Sequence, residues 1–149
     1  MSIRAILAAA LIGLATGASA QSLLPCDWQA SAANIMEPWR EHSRTYANGD
    51  VRVAILDTVE PAAGSLYVLL LSPPRGDLGE RQCRVIGVDE GIGFSRLRFD
   101  TLVSRYYPDI GLMFQMPVEI YSDDQDAFLP VTLTFSVNQA TGEIGVEIE

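Results

Sequence analysis

The sequence predicts an all-β domain, an antiparallel sandwich or barrel of about 7–9 strands built from consecutive hairpins. Three observations carry that reading. Apolar and polar residues alternate with a period of two over most of the chain, as in strands with one buried face. Turn-forming clusters of Gly, Pro, Asn and Asp recur every 8–12 residues or so. No segment keeps a helical period over any length, apart from a short stretch near the N-terminus.

The elements follow in order. Gln29 to Met36 has room for a short N-terminal helix that Pro38 would interrupt, and an extended lead-in strand fits nearly as well. Asn48-Gly49-Asp50 is a tight-turn signal that launches Val51, Val53 and Ile55. Pro61 to Gly64 is a second turn. Leu66 to Leu71 is a continuous apolar run, which reads as a strand covered on both faces and ended by Pro73-Pro74. Gln82 to Val88, Phe94 to Phe99 and Val103 to Tyr107 give further strands. Leu112, Phe114, Met116, Val118 and Ile120 alternate with Gln115 and Glu119, and Asp123 to Asp126 turns that strand into the next. Phe128 to Val137 and Ile144 to Ile148 form a terminal hairpin around Asn138 to Gly142. Pro117 and Pro130 interrupt strand patterns and cannot donate to a ladder, so they predict edges or bulges.

Met1 to Ala20 reads as an export signal: Arg4, an apolar run from Ala5 to Ala15, and the small-residue site Ala18-Ser19-Ala20, with cleavage after Ala20. The run is too short to span a bilayer comfortably, so no transmembrane segment is expected in the mature chain. Removing these 20 residues from 149 leaves 129, a single exported β domain starting at Gln21. Loss of Arg4 takes the net charge from −9 to −10, and the apolar fraction falls from 48% to about 45%. The expected location is the periplasm or the exterior. Cys26 and Cys83 then sit in an oxidising compartment at a spacing unlike any zinc motif, which predicts a disulfide between them.

Composition excludes several functions. The 19 acidic residues face 10 basic ones, all arginine, so a nucleic-acid partner is not expected. One histidine and two cysteines leave no ligand set for a zinc finger or an iron–sulfur cluster, and no cofactor or metal is expected. His42 is the only side chain whose ordinary pKa lies near neutrality. It has Ser43 beside it but no G-x-S-x-G elbow to supply a nucleophile. Carboxylate pairs such as Asp57 with Glu60, or Asp89 with Glu90, are near in sequence, which says nothing of their separation across a cleft. Gly91-x-Gly93 and Arg75-Gly76-Asp77 read as turns. Met113 and Met116 fall on opposite faces of one strand, which argues against a copper site and puts Met116 in the core.

The remaining candidates concern binding. Asp123, Asp124 and Asp126 are the oxygen-bearing residues of a possible weak calcium site, without the glycine and distal glutamate of an EF-hand loop. Trp39, Tyr106, Tyr107 and Tyr121 are amphipathic anchors of the kind enriched at binding surfaces. The reading that follows is a non-catalytic exported domain with a binding or structural role, its acidity favouring a cationic protein or peptide. The alternative is a small periplasmic hydrolase using His42 or a carboxylate pair.

Overall fold

Alternating segments become strands, and each hairpin turn places a strand beside its predecessor. The computed structural model describes residues 22–149; the export leader expected over Met1 to Ala20 lies outside the described residues. Ten strands are formed: β1 (Leu23–Pro25), β2 (Ser43–Tyr46), β3 (Val51–Asp57), β4 (Leu66–Arg75), β5 (Arg81–Ile86), β6 (Arg96–Leu97), β7 (Val103–Tyr107), β8 (Gly111–Ser122), β9 (Ala127–Val137) and β10 (Ile144–Ile148). They make two antiparallel five-stranded sheets. The first runs β1-β5-β4-β3-β2; the second runs β10-β9-β8, with β6 and β7 both pairing with β8.

The two sheets share one core. Val53 and Ile55 of β3, Val68 and Leu70 of β4 and Ile86 of β5 pack in the same cluster as Phe114, Met116 and Val118 of β8 and Leu133, Phe135 and Val137 of β9. Phe114 stacks on Phe135 with centroids 4.8 Å apart, and Tyr46 meets Phe114 edge-on at 4.9 Å. Each such fully buried side chain contributes about 1.5–3 kcal/mol relative to exposure.

The first sheet is apolar on its other face too. Ala54, Leu56, Tyr67, Leu69 and Val85 form a second cluster, against which Leu24, Cys26, Ala30 and Ile35 of the N-terminal segment pack. This is why Leu66 to Leu71 reads as an unbroken apolar run. The Cys26–Cys83 disulfide ties that covering segment to β5 across a Cα–Cα distance of 5.5 Å.

Four expectations change in detail. The strand count is ten rather than 7–9, because β1 and β2 add short pairings that alternation over three or four residues does not reveal. No α-helix forms over Gln29 to Met36; Trp28–Ala30 and Ala32–Asn34 are single 3-10 turns, and Ile35 then bridges to Leu56. Pro73-Pro74 do not end the fourth strand. It continues to Arg75 through a register irregularity between Ser72 and Arg75 that absorbs the missing donors. The segment Phe94 to Phe99 gives only the two residues of β6. Phe94 exchanges both backbone bonds with Leu66 of the first sheet, while Ser95 N–H donates to Glu119 of the second at 2.8 Å. The chain is changing sheets there, so it cannot hold one ladder for long.

Closing the 57-residue span between Cys26 and Cys83 restricts the unfolded chain by about 4 kcal/mol on loop-entropy grounds. Cys26→Ala with Cys83→Ala is expected to lower unfolding stability by about 2–4 kcal/mol. Urea denaturation of the oxidised parent and the double variant checks this, with a loss below about 0.5 kcal/mol counting against the covering role.

Candidate functional site

Charge is distributed unevenly along the chain, and the topology turns that into a spatial asymmetry. Residues 22–105 contain eleven carboxylates and nine arginines, whereas Tyr106 to Glu149 contains eight carboxylates and no basic side chain. The latter stretch builds β8, β9 and β10, which are neighbours in one sheet. Their inner rows fill the core; Glu119, Glu147 and Glu149 follow the outer rows, while Asp109, Asp123, Asp124, Asp126 and Glu143 lie in the connecting turns.

The outer face is formed by Met113, Gln115 and Glu119 of β8, by Thr132, Thr134 and Ser136 of β9, and by Gly145 and Glu147 of β10. A shallow trough of about 600 Å³ lies here, with Thr134, Ser136 and Gly145 along its floor and Ile110, Met113 and Glu147 on its sides. Gly145 keeps the floor low, because any Cβ there would stand 3.0 Å from Ser136 Oγ. An adjoining depression of about 160 Å³ brings Asp109, Asn138 and Glu143 to the same rim. The ion pairs among the described residues are Arg75–Asp50, Arg96–Glu119 and Arg98–Asp100, at 3.2–3.4 Å. None reaches Asp109, Glu143, Glu147 or Glu149. Glu147 is held above the usual carboxylate range, first by hydrogen bonding with Glu149 and then by repulsion from it.

The aromatic candidates are not brought together. Trp39 is 55% exposed in the loop before β2. That loop is pinned at both ends on Ile55, whose N–H donates to His42 O and whose carbonyl accepts from Met36 N–H, both at 2.9 Å. Tyr106, 61% exposed, and the half-buried Tyr107 lie on β7 opposite Leu112 and Gly111. Tyr121 sits at the far end of β8, about 30 Å from Leu112 at strand rise. Its partner is Phe128, an exposed ring that the alternation alone does not single out, at 5.3 Å edge-on. The Tyr121 hydroxyl donates to Asp126, which pushes the phenol above its ordinary pKa, with burial and the Asp123 charge adding to it. Asp123, Asp124 and Asp126 form an exposed turn, and among the described residues no group of three or more His, Cys, Asp or Glu is placed to hold a metal ion.

His42 lines a cleft of about 380 Å³ that opens between the sheets where β2 and β6 form their edges. Its floor is apolar, from Met36, Ile55, Leu66, Leu97 and Phe99; Glu41, Arg96 and Asp100 join His42 around it. No Ser, Thr or Cys lines the cleft, and the partner of His42 Nδ1 is the Pro38 carbonyl at 3.3 Å rather than a carboxylate. Among the described residues the cleft therefore places no hydroxyl or thiol beside His42, and neither carboxylate of its lining is the Nδ1 partner. The other carboxylate pairs are turn-builders. Asp57 Oδ1 accepts from Val59 N–H at 2.8 Å and from Ser65 Oγ at 2.9 Å, and Asp89 Oδ1 accepts from Glu90 N–H.

Comparison with known protein families, with characterised proteins and with solved structures finds no match. The site is accordingly read from its own chemistry. The trough is not legible in the sequence because its lining joins residues from β8, β9 and β10, whereas the run without a cation after Arg105 is; Arg105 itself stands on β7 opposite Met113.

Because Glu147 is raised in the fold, the folded chain holds that proton more tightly than the unfolded one. The resulting contribution to stability is present at low pH and is lost as pH rises through the Glu147 titration. Glu149→Gln is expected to bring the Glu147 titration down toward that of an ordinary glutamate, read by carboxyl-carbon NMR. An unchanged midpoint would show that the two carboxylates do not interact.

Proposed function

We propose that the chain is an exported, non-catalytic β-sandwich module that binds a cationic protein or peptide on the outer face of its second sheet. The observation that carries this reading is the gathering of Asp109, Glu143, Glu147 and Glu149 around the trough and its adjoining depression, none of them in an ion pair among the described residues. Like charges held on one face repel one another, and a basic partner relieves that repulsion as it docks. The trough adds shape: Ser136, Thr134 and Asn138 offer hydrogen bonds to a backbone or a guanidinium, while Ile110 and Met113 offer apolar walls.

Other features are consistent with export and with binding rather than turnover. A structural disulfide suits an oxidising compartment. Among the described residues no helix is long and apolar enough to cross a membrane. The only histidine lines a cleft that has no hydroxyl or thiol nucleophile.

A ten-residue arginine-rich peptide is the probe, with a glutamate-rich peptide of the same length as control. Binding measured by calorimetry is expected for the basic peptide alone, and to weaken about tenfold between low and physiological salt as exposed charges are screened. Replacing Asp109 by Asn and Glu143, Glu147 and Glu149 by Gln together is expected to weaken it about tenfold, since each exposed pair is worth roughly 0.2–1 kcal/mol. Equal binding of the acidic peptide, or full affinity in the quadruple variant, would sink the assignment to this face.

A further inference from the structure

We propose that the cleft between the sheets at the β2–β6 edge is a separate binding site for a small primary amine with an apolar body. The floor is core-like: Ile55 is 1% exposed and Phe99 3%, flanked by Met36, Leu66 and Leu97. An opening of about 380 Å³ lies at the small end of the range for small-molecule sites. It suits a body the size of a phenylethyl or hexyl group.

The groups around that floor are acceptors, apart from Arg96. The Pro38 carbonyl can only accept, so the bond to His42 Nδ1 at 3.3 Å puts a hydrogen on Nδ1, and in the uncharged tautomer that fits this bond Nε2 is the acceptor. Glu41 stands beside it with no ion-pair partner among the described residues. Asp100 holds Arg98 through both oxygens at 3.3 Å, and each oxygen keeps a second lone pair. The lining cation, Arg96, is paired with Glu119 at 3.4 Å. Two carboxylates and an imidazole around an apolar floor, against one paired arginine, suit a ligand with N–H donors and positive charge. A carboxylate ligand would meet mostly acceptors.

Phe99 further selects a primary ammonium over a quaternary one. Its ring already faces the Arg44 guanidinium, 4.9 Å from the centroid, so no aromatic cage is on offer. The same arginine fixes the wall. From β2 it reaches across to the second sheet, where Nη1 donates to Leu102 O at 3.2 Å and Nη2 to Asp100 O at 3.5 Å. The wall is thus in place before a ligand arrives, which lowers the ordering cost of binding.

The test is an amide NMR titration with 2-phenylethylamine, 2-phenylethanol and 3-phenylpropionate. Saturable shifts at Ile55, Leu66 and Phe99 are expected with the amine, at least about fivefold tighter than with the alcohol, and none with the acid. Glu41→Gln, an exposed change, is expected to weaken amine binding about two- to fivefold. Leu97→Trp is expected to abolish it by filling the cleft; should that variant fold poorly, Glu41→Gln decides. Equal binding of the acid, or no saturation by about 10 mM amine, would overturn the proposal. So would shifts confined to Ser136, Gly145 and Glu147, which would assign the amine to the acidic trough instead.

Discussion

The centre of the first sheet has no polar face to give to water, and the rest of the architecture follows from covering it twice. Ile55 and Val68 point to one side of the sheet, Leu56, Tyr67 and Leu69 to the other, and every one of them is buried. The second sheet closes one side. Only the N-terminal segment is left for the other, and it is a poor cover on its own: two single 3-10 turns, a three-residue strand and a few apolar contacts. Segments with so few contacts open locally at low cost. The Cys26–Cys83 bond compensates by making the cover part of β5. The cover has an imperfection, since Gln29 Oε1 and the Tyr67 hydroxyl are both enclosed without a hydrogen-bond partner. Burial accordingly raises the Tyr67 phenol above its ordinary pKa; the Gly93 amide, which counters this, is itself committed to Gly64 O at 2.7 Å.

A division of labour between the sheets results. Since the first is occupied on both faces, the face free to meet a partner is the outer side of the second. That is where the chain places threonines, serine, glycine and, beside the trough, Glu147 and Glu149 without an ion-pair partner among the described residues. Arg96 and Arg105 reach that face at its β6–β7 edge, opposite Glu119 and Met113; other arginines are spent on stitching: Arg81 to Gly49 O at 3.2 Å, Arg75 to Asp50 at 3.2 Å, Arg44 across to the second sheet. Exposed pairs of this kind add little stability individually. Their effect is to neutralise the first half of the chain and leave the second half charged.

Much of the fold was legible because period two is a local signal. The β8–β9 hairpin, the β9–β10 hairpin and the doubly covered β4 are all readable from alternation or its absence. The disulfide was legible because only two cysteines are present. The short pairings were not, since β1, β2 and β6 are held by their neighbours rather than by a pattern of their own. The cleft was illegible for a related reason: Met36, Ile55, Leu66 and Leu97 come from four separate segments and look like ordinary core residues in sequence. His42 was noticed for its chemistry, but its partner Pro38 and its apolar surroundings become visible only with the fold. The aromatic candidates show the converse: Tyr106, Tyr107 and Tyr121 are alike in type, yet the length of β8 separates Tyr121 from the other two.

Pro117 connects the proline pattern to the cleft. Its carbonyl accepts from Arg98 N–H at 3.1 Å, so its backbone faces the β6–β7 side of β8, and the pairing with β9 loses nothing to the missing N–H. On the β6–β7 side the ladder cannot continue through it. β6 ends at Leu97 opposite Val118, the chain takes a single 3-10 turn over Phe99–Thr101, and pairing resumes with Val103 opposite Gln115. The turn sends Phe99 and Leu102 into the core and leaves Asp100 at the surface, beside the mouth of the cleft. Pro130 obeys the same rule at the other edge, its nitrogen turned toward the β10 side two residues past the Thr132–Glu149 bonds. A proline inside a long strand therefore marks where its neighbour leaves the sheet, and in this chain the departing segment builds one wall of the cleft.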